Sequence, residues 1–241
     1  MSTATVHVKT ITPAAWLMLP ARLVLFAMAQ GFAALELGSW EASIAWWPLG
    51  ATFGNLATIP LLVWLFRAEG KSYGALFTLD RTRLGFDLPL LTGVLLVGLP
   101  LALFPSVWLG IWLFGDPQIP LDLLVQPLPF WAVLLAVSFP LTIIFAELPA
   151  YFGYCMPRLA MATGRPGLAT GISAFFLAAQ HVTLPLILDG RFMLWRLLMF
   201  LPFALFLGIV LRRRRALLPW LVIVHGLLDA ATLPALFRHA T

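Results

Sequence analysis

Four ionisable side chains interrupt apolar stretches of this sequence and could perform chemistry together: Glu147, His181, His225 and Asp229. Glu147 follows the apolar run FPLTIIFA at 139–146. His225 and Asp229 are spaced i, i+4, which places both on one face of a helix. A charge in the hydrocarbon core of a bilayer costs about 3 kcal/mol or more, so such a group needs a partner or a function. The sequence therefore predicts a functional cluster.

Three chemistries suit this set of side chains. In hydrolysis, Glu147 would be the general base on a water shared with His181, and His225 would stabilise the oxyanion. In a metal site, two histidines and one carboxylate would bind zinc with one position open. In a transporter, the same groups would relay protons or ions. The spacing of the residues is compatible with all three.

The composition predicts an integral membrane protein. Of its 241 residues, 61% are hydrophobic and only 10% are charged, and the mean hydropathy is +0.96. Soluble domains carry about 25% charged residues. The apolar runs are about 20 residues long and do not alternate, which favours helices over a barrel. We expect one integral-membrane domain over 1–241.

About seven transmembrane helices are expected, forming an all-α polytopic bundle. Pro140, Pro149 and Pro157 are expected to bend or break the fourth helix. Arg22 interrupts the first helix, where it would either reach the interface or pair with Glu36 or another acid. The segment 115–127 is expected to be a loop. The approximate helix bounds are Pro13–Leu37, Ile44–Phe66, Leu88–Phe114, Phe130–Leu159, Leu168–Leu188, Phe192–Leu211 and Leu217–Phe237.

The basic residues lie mainly between the apolar runs, which indicates topology determinants rather than a nucleic-acid-binding surface. Seven helices with a cytoplasmic N-terminus would leave Arg191, Arg196 and Arg238 on the outer side. At about 1.5 Å per residue, the four ionisable groups then lie at similar membrane depth. Eleven of the 15 basic residues would lie on the cytoplasmic side: Lys9, Arg67, Lys71, Arg81, Arg83, Arg158, Arg165 and Arg212–Arg215.

Three segments that carry these residues resemble the motifs of a known family. Residues 147–159, ELPAYFGYCMPRL, resemble the EExxWRGYLLPRL-type first motif of the CAAX-protease and bacteriocin-processing (CPBP, or Abi) intramembrane endopeptidases. AQH at 179–181, followed by LPL at 184–186, is similar to the family's second motif. HGLLD at 225–229 matches its third, HxxxN/D. The resemblance covers a CPBP-like core over 130–235.

The resemblance implies a CAAX-protease-like helical fold and an endopeptidase of the inner (cytoplasmic) membrane. Glu147 and His181 would activate water, and His225 with Asp229 would support the oxyanion. The substrate would be a peptide or membrane protein in the lipid bilayer. A glutamate mechanism needs no cofactor. In the alternative intramembrane metalloprotease, zinc would be held by Glu147, His181 and His225.

The first motif departs from the family pattern at two positions. Leu148 stands where the family has a second glutamate, and Phe152 stands where it has an arginine. Replacing both partners of a buried ion pair with apolar residues can be nearly neutral, so we expect an intact, repacked fold. An inactive family member acting as a membrane scaffold or chaperone is the alternative function. A transporter is less favoured, because the sequence shows no repeated halves.

Overall fold

The computed structural model describes the backbone of residues 3–241 and the side chains of residues 13–241. Lys9, which was counted among the cytoplasmic charges, lies outside the described side chains. Within the described range the chain is helical, with no β-strand and one isolated bridge between Leu128 and Ala240. The all-helical prediction is confirmed.

Twelve α-helices follow one another along the described chain: α1 Thr3–Leu37, α2 Trp40–Ile44, α3 Trp47–Ala68, α4 Leu84–Phe114, α5 Gln118–Leu124, α6 Phe130–Ala136, α7 Ser138–Ile143, α8 Met156–Thr163, α9 Pro166–Gln180, α10 Gly190–Arg213, α11 Leu218–Ala230 and α12 Leu233–Arg238. A π-helical segment, Pro149–Cys155, joins α7 to α8. Short 3₁₀ turns cover Tyr73–Phe77, Arg81–Arg83, His181–Thr183 and Arg215–Leu217.

Five segments of the described chain are long and apolar enough to cross a membrane. Helix α1 ends at Leu37, as predicted, but it begins at Thr3 rather than at Pro13. Phe130–Ile143 is a shorter apolar stretch. The chain is therefore a helical membrane protein. The five segments are Pro13–Leu37, Trp47–Ala68, Tyr73–Phe114, Gly190–Arg213 and Arg215–Arg238.

The predicted fourth helix is broken, as its prolines suggested. It forms α6, α7, the π-helical segment and α8 in succession. Pro140 lies inside α7, and Pro149 and Pro157 lie in the first turns of the two segments that follow. A proline has no backbone N–H to continue a helical ladder, so the chain restarts at these positions. Glu147 comes just before the π-helical segment.

The predicted fifth helix is shorter than expected, and the prediction that His181 lies inside it was wrong. Helix α9 ends at Gln180, and His181 begins a 3₁₀ turn. Arg196 donates hydrogen bonds to the backbone oxygens of His181 (3.0 Å) and Leu184 (2.5 Å). These bonds satisfy carbonyl groups that an ending helix leaves without partners. Arg196 lies in α10 and is 4% exposed, so this charge is used inside the bundle.

Two further segments differ from the sequence prediction in where their helices lie. The segment 115–127, expected to be a loop, contains α5, and Asp116 Oδ1 accepts a hydrogen bond from Gln118 N at 2.8 Å at its start. An Asp side chain that accepts from the backbone two residues further on favours a turn, here the one that leads into α5. The predicted last helix is interrupted between Ala230 and Leu233, which leaves His225 and Asp229 together on α11.

The largest apolar core surrounds the π-helical segment and joins it to α1, α3, α9, α10 and α11. Leu148 and Phe152, the residues that depart from the family pattern, are buried in this core. A Cβ atom on Gly208 of α10 would lie 3.0 Å from Phe152 Cε1, so the aromatic ring occupies the space above this glycine. This packing agrees with the expected apolar replacement of an ion pair.

Candidate active site

Glu147 is the centre of the site and is only 1% exposed. Its position between α7 and the π-helical segment places it inside the bundle rather than on a lipid-facing surface. The π-helical conformation is uncommon and occurs frequently at functional sites. A carboxylate removed from water in this way must be paired or hydrogen-bonded, so its neighbours determine what it can do.

The structure brings all four predicted site residues together. His225 Nε2 lies 2.9 Å from Glu147 Oε1, and His181 Nε2 lies 4.0 Å from Glu147 Oε2. Asp229 Oδ2 lies 3.4 Å from His225 Nε2. The two histidines thus approach different oxygens of one carboxylate. A separation of 4.0 Å is too long for a direct hydrogen bond and suits two atoms that share one water.

The orientation of His181 is fixed through its other ring nitrogen. Nδ1 lies 2.9 Å from the backbone oxygen of Leu177, which can only accept. Nδ1 therefore carries the proton, and Nε2 of the neutral ring has a free lone pair directed toward Glu147. The imidazole also stacks on Phe200, with 3.7 Å between ring centroids. His181 is held in place as a proton acceptor.

Two further polar side chains belong to the site, and the sequence prediction gave them no role. Gln180 Nε2 donates to Glu147 Oε2 at 2.7 Å. Arg22 of α1 is fully buried, and its Nη2 lies 3.6 Å from the same oxygen. The partner of Arg22 is therefore Glu147, not Glu36. Arg22 had been recognised from the sequence as a charge inside the first helix, but its partner had not; Gln180 could have been found by asking which amides, as well as acids and histidines, interrupt apolar runs.

Buried polar atoms without an aligned hydrogen-bond partner are concentrated at this site. Among the described residues there are six such side-chain atoms, and four belong to the site: Arg22 Nη2, Glu147 Oε1, His225 Nε2 and Asp229 Oδ2. The close approach of His225 to Glu147 thus lacks hydrogen-bond alignment. A buried polar group without a partner costs about 1–3 kcal/mol. The concentration of this cost in one place is typical of a reaction site.

Zinc was the alternative expectation, with Glu147, His181 and His225 as its ligands. Within the described side chains, no group of three or more His, Cys, Asp or Glu residues is placed to hold a metal. Both oxygens of Glu147 already face nitrogen atoms, of Gln180 and His225. The Arg22 guanidinium, 3.6 Å from Oε2, would also repel a dication bound there.

A second buried ion pair lies at the end of α3. Arg158 of α8 donates to the two carboxylate oxygens of Glu69 through Nε (2.6 Å) and Nη2 (2.5 Å). Its guanidinium also lies over the Tyr154 ring, 3.7 Å from the centroid. Burial by itself raises the pKa of Glu69, but hydrogen bonds from Arg158 and Lys71 outweigh burial and leave this pKa below its usual value. This pair is closed and fully bonded.

Comparison of the chain with protein-family models, with curated proteins and with solved structures gives no match.

Proposed function

We propose that the protein is an intramembrane endopeptidase in which Glu147 activates a water molecule. The observation that carries the proposal is the convergence of Glu147, His181, His225 and Asp229, from three separate segments, around buried polar atoms without aligned partners. The expected substrate is a peptide bond of a membrane-associated protein or peptide. The similarity of the three motifs to CPBP proteases supports the same reaction class.

The geometry suggests a role for each group. A water between Glu147 Oε2 and His181 Nε2 would lose its proton to one of these two acceptors as it attacks the carbonyl carbon. His225, on the opposite side of the carboxylate, would donate a hydrogen bond from Nε2–H to the oxyanion. Asp229, 3.4 Å from that nitrogen, would stabilise the charged form of His225. The group that took the proton from water would then pass it to the leaving amine as the C–N bond breaks.

The wider assignment belongs to the same proposal. It comprises about seven transmembrane helices, a CAAX-protease-like core over 130–235, and an inner membrane with a cytoplasmic N-terminus. The lipid bilayer would be the environment of the reaction, with no cofactor. The five long apolar segments and the broken stretch 130–163 are compatible with this arrangement.

One observation favours a second candidate function, an inactive relative that acts as a membrane scaffold or chaperone. Leu148 and Phe152 are packed in the core where the family has an ion pair, and Arg22 and Gln180 already contact Glu147. A carboxylate with such partners could have a structural role only. The two candidates differ in whether the protein cleaves a peptide.

The experiment is a cleavage assay on purified protein in proteoliposomes, with a pool of membrane-anchored peptides read by mass spectrometry. We expect the wild type to cleave and Glu147→Ala to be inactive while eluting as a folded protein from size exclusion. Equal cleavage by both would overturn the assignment of Glu147. Cleavage by neither would favour the scaffold. Activity that survives a metal chelator would count against the zinc alternative.

A further inference from the structure

Two side chains outside the proposed reaction hold one oxygen of Glu147. Gln180 donates to Oε2, and Arg22 lies beside the same oxygen. We infer that Arg22 is a positioning residue, which acts through Gln180 to fix Oε2 and so turns Oε1 toward His225. This inference rests on the proposed function of the site. It adds α1 to a site that the sequence confined to 130–235.

The side-chain amide of Gln180 is held in one orientation by the groups that donate hydrogen bonds to its oxygen. Its Oε1 atom lies 2.6 Å from Arg22 Nε and 3.3 Å from the Tyr151 hydroxyl. The arginine can only donate, so the amide oxygen faces it and the NH₂ group faces Glu147. With the amide reversed, an NH₂ group would face the guanidinium and an oxygen would face the carboxylate. Arg22 therefore determines which end of Gln180 reaches Glu147.

Arg22 is itself held by residues of α3 and by Phe26 of its own helix. Its Nη1 lies 3.5 Å from Thr58 Oγ1 of α3, and that hydroxyl donates to the backbone oxygen of Gly54 at 2.6 Å. Its guanidinium lies 5.0 Å from the centroid of the Phe26 ring. A Cβ atom on Gly54 would lie 2.3 Å from that ring, so only glycine leaves room for Phe26 here.

The chain of contacts fixes both oxygens of Glu147, including Oε2, the oxygen that would share the water with His181. The terminal torsion of a glutamate is broad, and a carboxylate without neighbours rotates freely. With Oε2 held by Gln180, Oε1 is the oxygen that lies 2.9 Å from His225. A misplacement of about 1 Å can cost about 100-fold in rate. Loss of either Arg22 or Gln180 should therefore lower kcat while substrate binding is retained.

The test is a double-mutant cycle in the full-length protein in proteoliposomes, with kcat and KM measured for Arg22→Met, Gln180→Leu and the double variant. We expect kcat to fall about 100-fold in each single variant, with KM nearly unchanged. The double variant should be no slower than either single variant, because both act through one hydrogen bond. Arg22→Lys should recover most of the loss, since it keeps the charge. Additive losses, or an unchanged kcat, would overturn the inference.

A second readout does not depend on cleavage. A membrane-soluble carbodiimide labels protonated carboxyl groups, and the labelled peptide is identified by mass spectrometry. We expect labelling of Glu147 to rise severalfold in Arg22→Met and to stay at the wild-type rate in Arg158→Met, the matched change in the other ion pair. Equal labelling in all three proteins would overturn the positioning role. If labelling responds as expected but the wild type cleaves no peptide, the proposed function fails and the positioning of Glu147 stands.

Discussion

The molecule contains two buried glutamate–arginine pairs that are built differently. Glu69 and Arg158 meet at 2.5 and 2.6 Å through two aligned hydrogen bonds. Glu147 and Arg22 lie 3.6 Å apart, and each has an atom without an aligned partner. A pair whose hydrogen-bonding groups are all occupied has no donor or acceptor free for a substrate. The open pair, next to two histidines, retains acceptors and donors that a reaction can use.

The two pairs differ because different side chains surround each glutamate. Glu69 has Arg158 and Lys71, whose cationic groups lie within 3.0 Å of its carboxylate. Glu147 has an amide, an arginine at a longer distance and two imidazoles that can change protonation. We therefore assign stability to the pair of Glu69 and chemistry to the pair of Glu147. Four perturbations, taken from the largest expected effect to the smallest, test this distinction.

The largest effect is expected for His225→Ala. This change removes the nitrogen that lies 2.9 Å from Glu147 Oε1 and 3.4 Å from Asp229 Oδ2. Loss of an oxyanion-stabilising donor costs about 100- to 1,000-fold in rate, so kcat should fall by that amount. The measurement is the initial rate of peptide cleavage. His239→Ala, an exposed histidine near the C-terminus, is the control and should keep the wild-type rate.

For Arg158→Met we expect the opposite result, a loss of stability with a nearly unchanged cleavage rate. It leaves Glu69 without its bidentate partner but still 3.0 Å from Lys71, so the loss of unfolding free energy should be at most about 3 kcal/mol. The rate per folded molecule should stay within a few-fold of the wild type. Denaturant unfolding in detergent measures the unfolding free energy. The double change Glu69→Met with Arg158→Met should recover most of the stability, and a double variant as unstable as the single one would contradict the closed-pair assignment.

A smaller effect is expected where α11 touches α7. A Cβ atom on Gly226 would lie 2.5 and 2.7 Å from Ile144 side-chain carbons and 3.1 Å from the backbone oxygen of Pro140. Gly226→Ala should therefore push α11 outward, with a loss of about 1–3 kcal/mol and a lower kcat because His225 moves with the helix. The matched control is Gly171→Ala, where a Cβ atom has nothing within 4 Å. Equal kcat in both variants would show that this contact does not position His225.

The smallest effect is a pH dependence of stability. The pKa of Glu69 in the folded protein is lowered from its ordinary value of 4.5, so the pair stabilises the fold above that value. This contribution is lost as the pH falls through the lowered pKa. Thermal melting between neutral and acidic pH should show a loss of stability that is smaller in Glu69→Gln. If stability falls with pH by the same amount in Glu69→Gln as in the wild type, the ionisation of Glu69 does not contribute to the pH dependence.

The sequence predicted the membrane bundle and the four central residues for a clear physical reason. An ionisable group in an apolar run is costly, so Glu147, His181, His225 and Asp229 stood out. The same reasoning, applied only to acids and histidines, overlooked Gln180, whose amide is uncharged. It also could not pair Arg22 with Glu147, because their contact joins residues far apart in the sequence and depends on how α1 packs.

The end of α9 shows a second limit. The apolar run continues past Gln180 to Leu188, so periodicity alone extended the helix through His181. Pro185 is a local signal that the helix does not continue beyond Leu184. The contact of Arg196, from α10, with the backbone oxygens of His181 and Leu184 is tertiary, and the sequence does not show it. Helix identity was therefore predictable from composition, while the exact position of a site residue at a helix end was not.

One measurement compares the two pairs directly: kcat for peptide cleavage by Glu147→Gln and by Glu69→Gln, each normalised to folded protein. Glutamine keeps the size of the side chain and removes its charge in both places. We expect Glu147→Gln to lose about 1,000-fold or more in kcat, within the range for loss of a catalytic base, and Glu69→Gln to remain within a few-fold of the wild type. Wild-type cleavage by Glu147→Gln, or equal losses in both variants, would contradict the assignment of chemistry to Glu147.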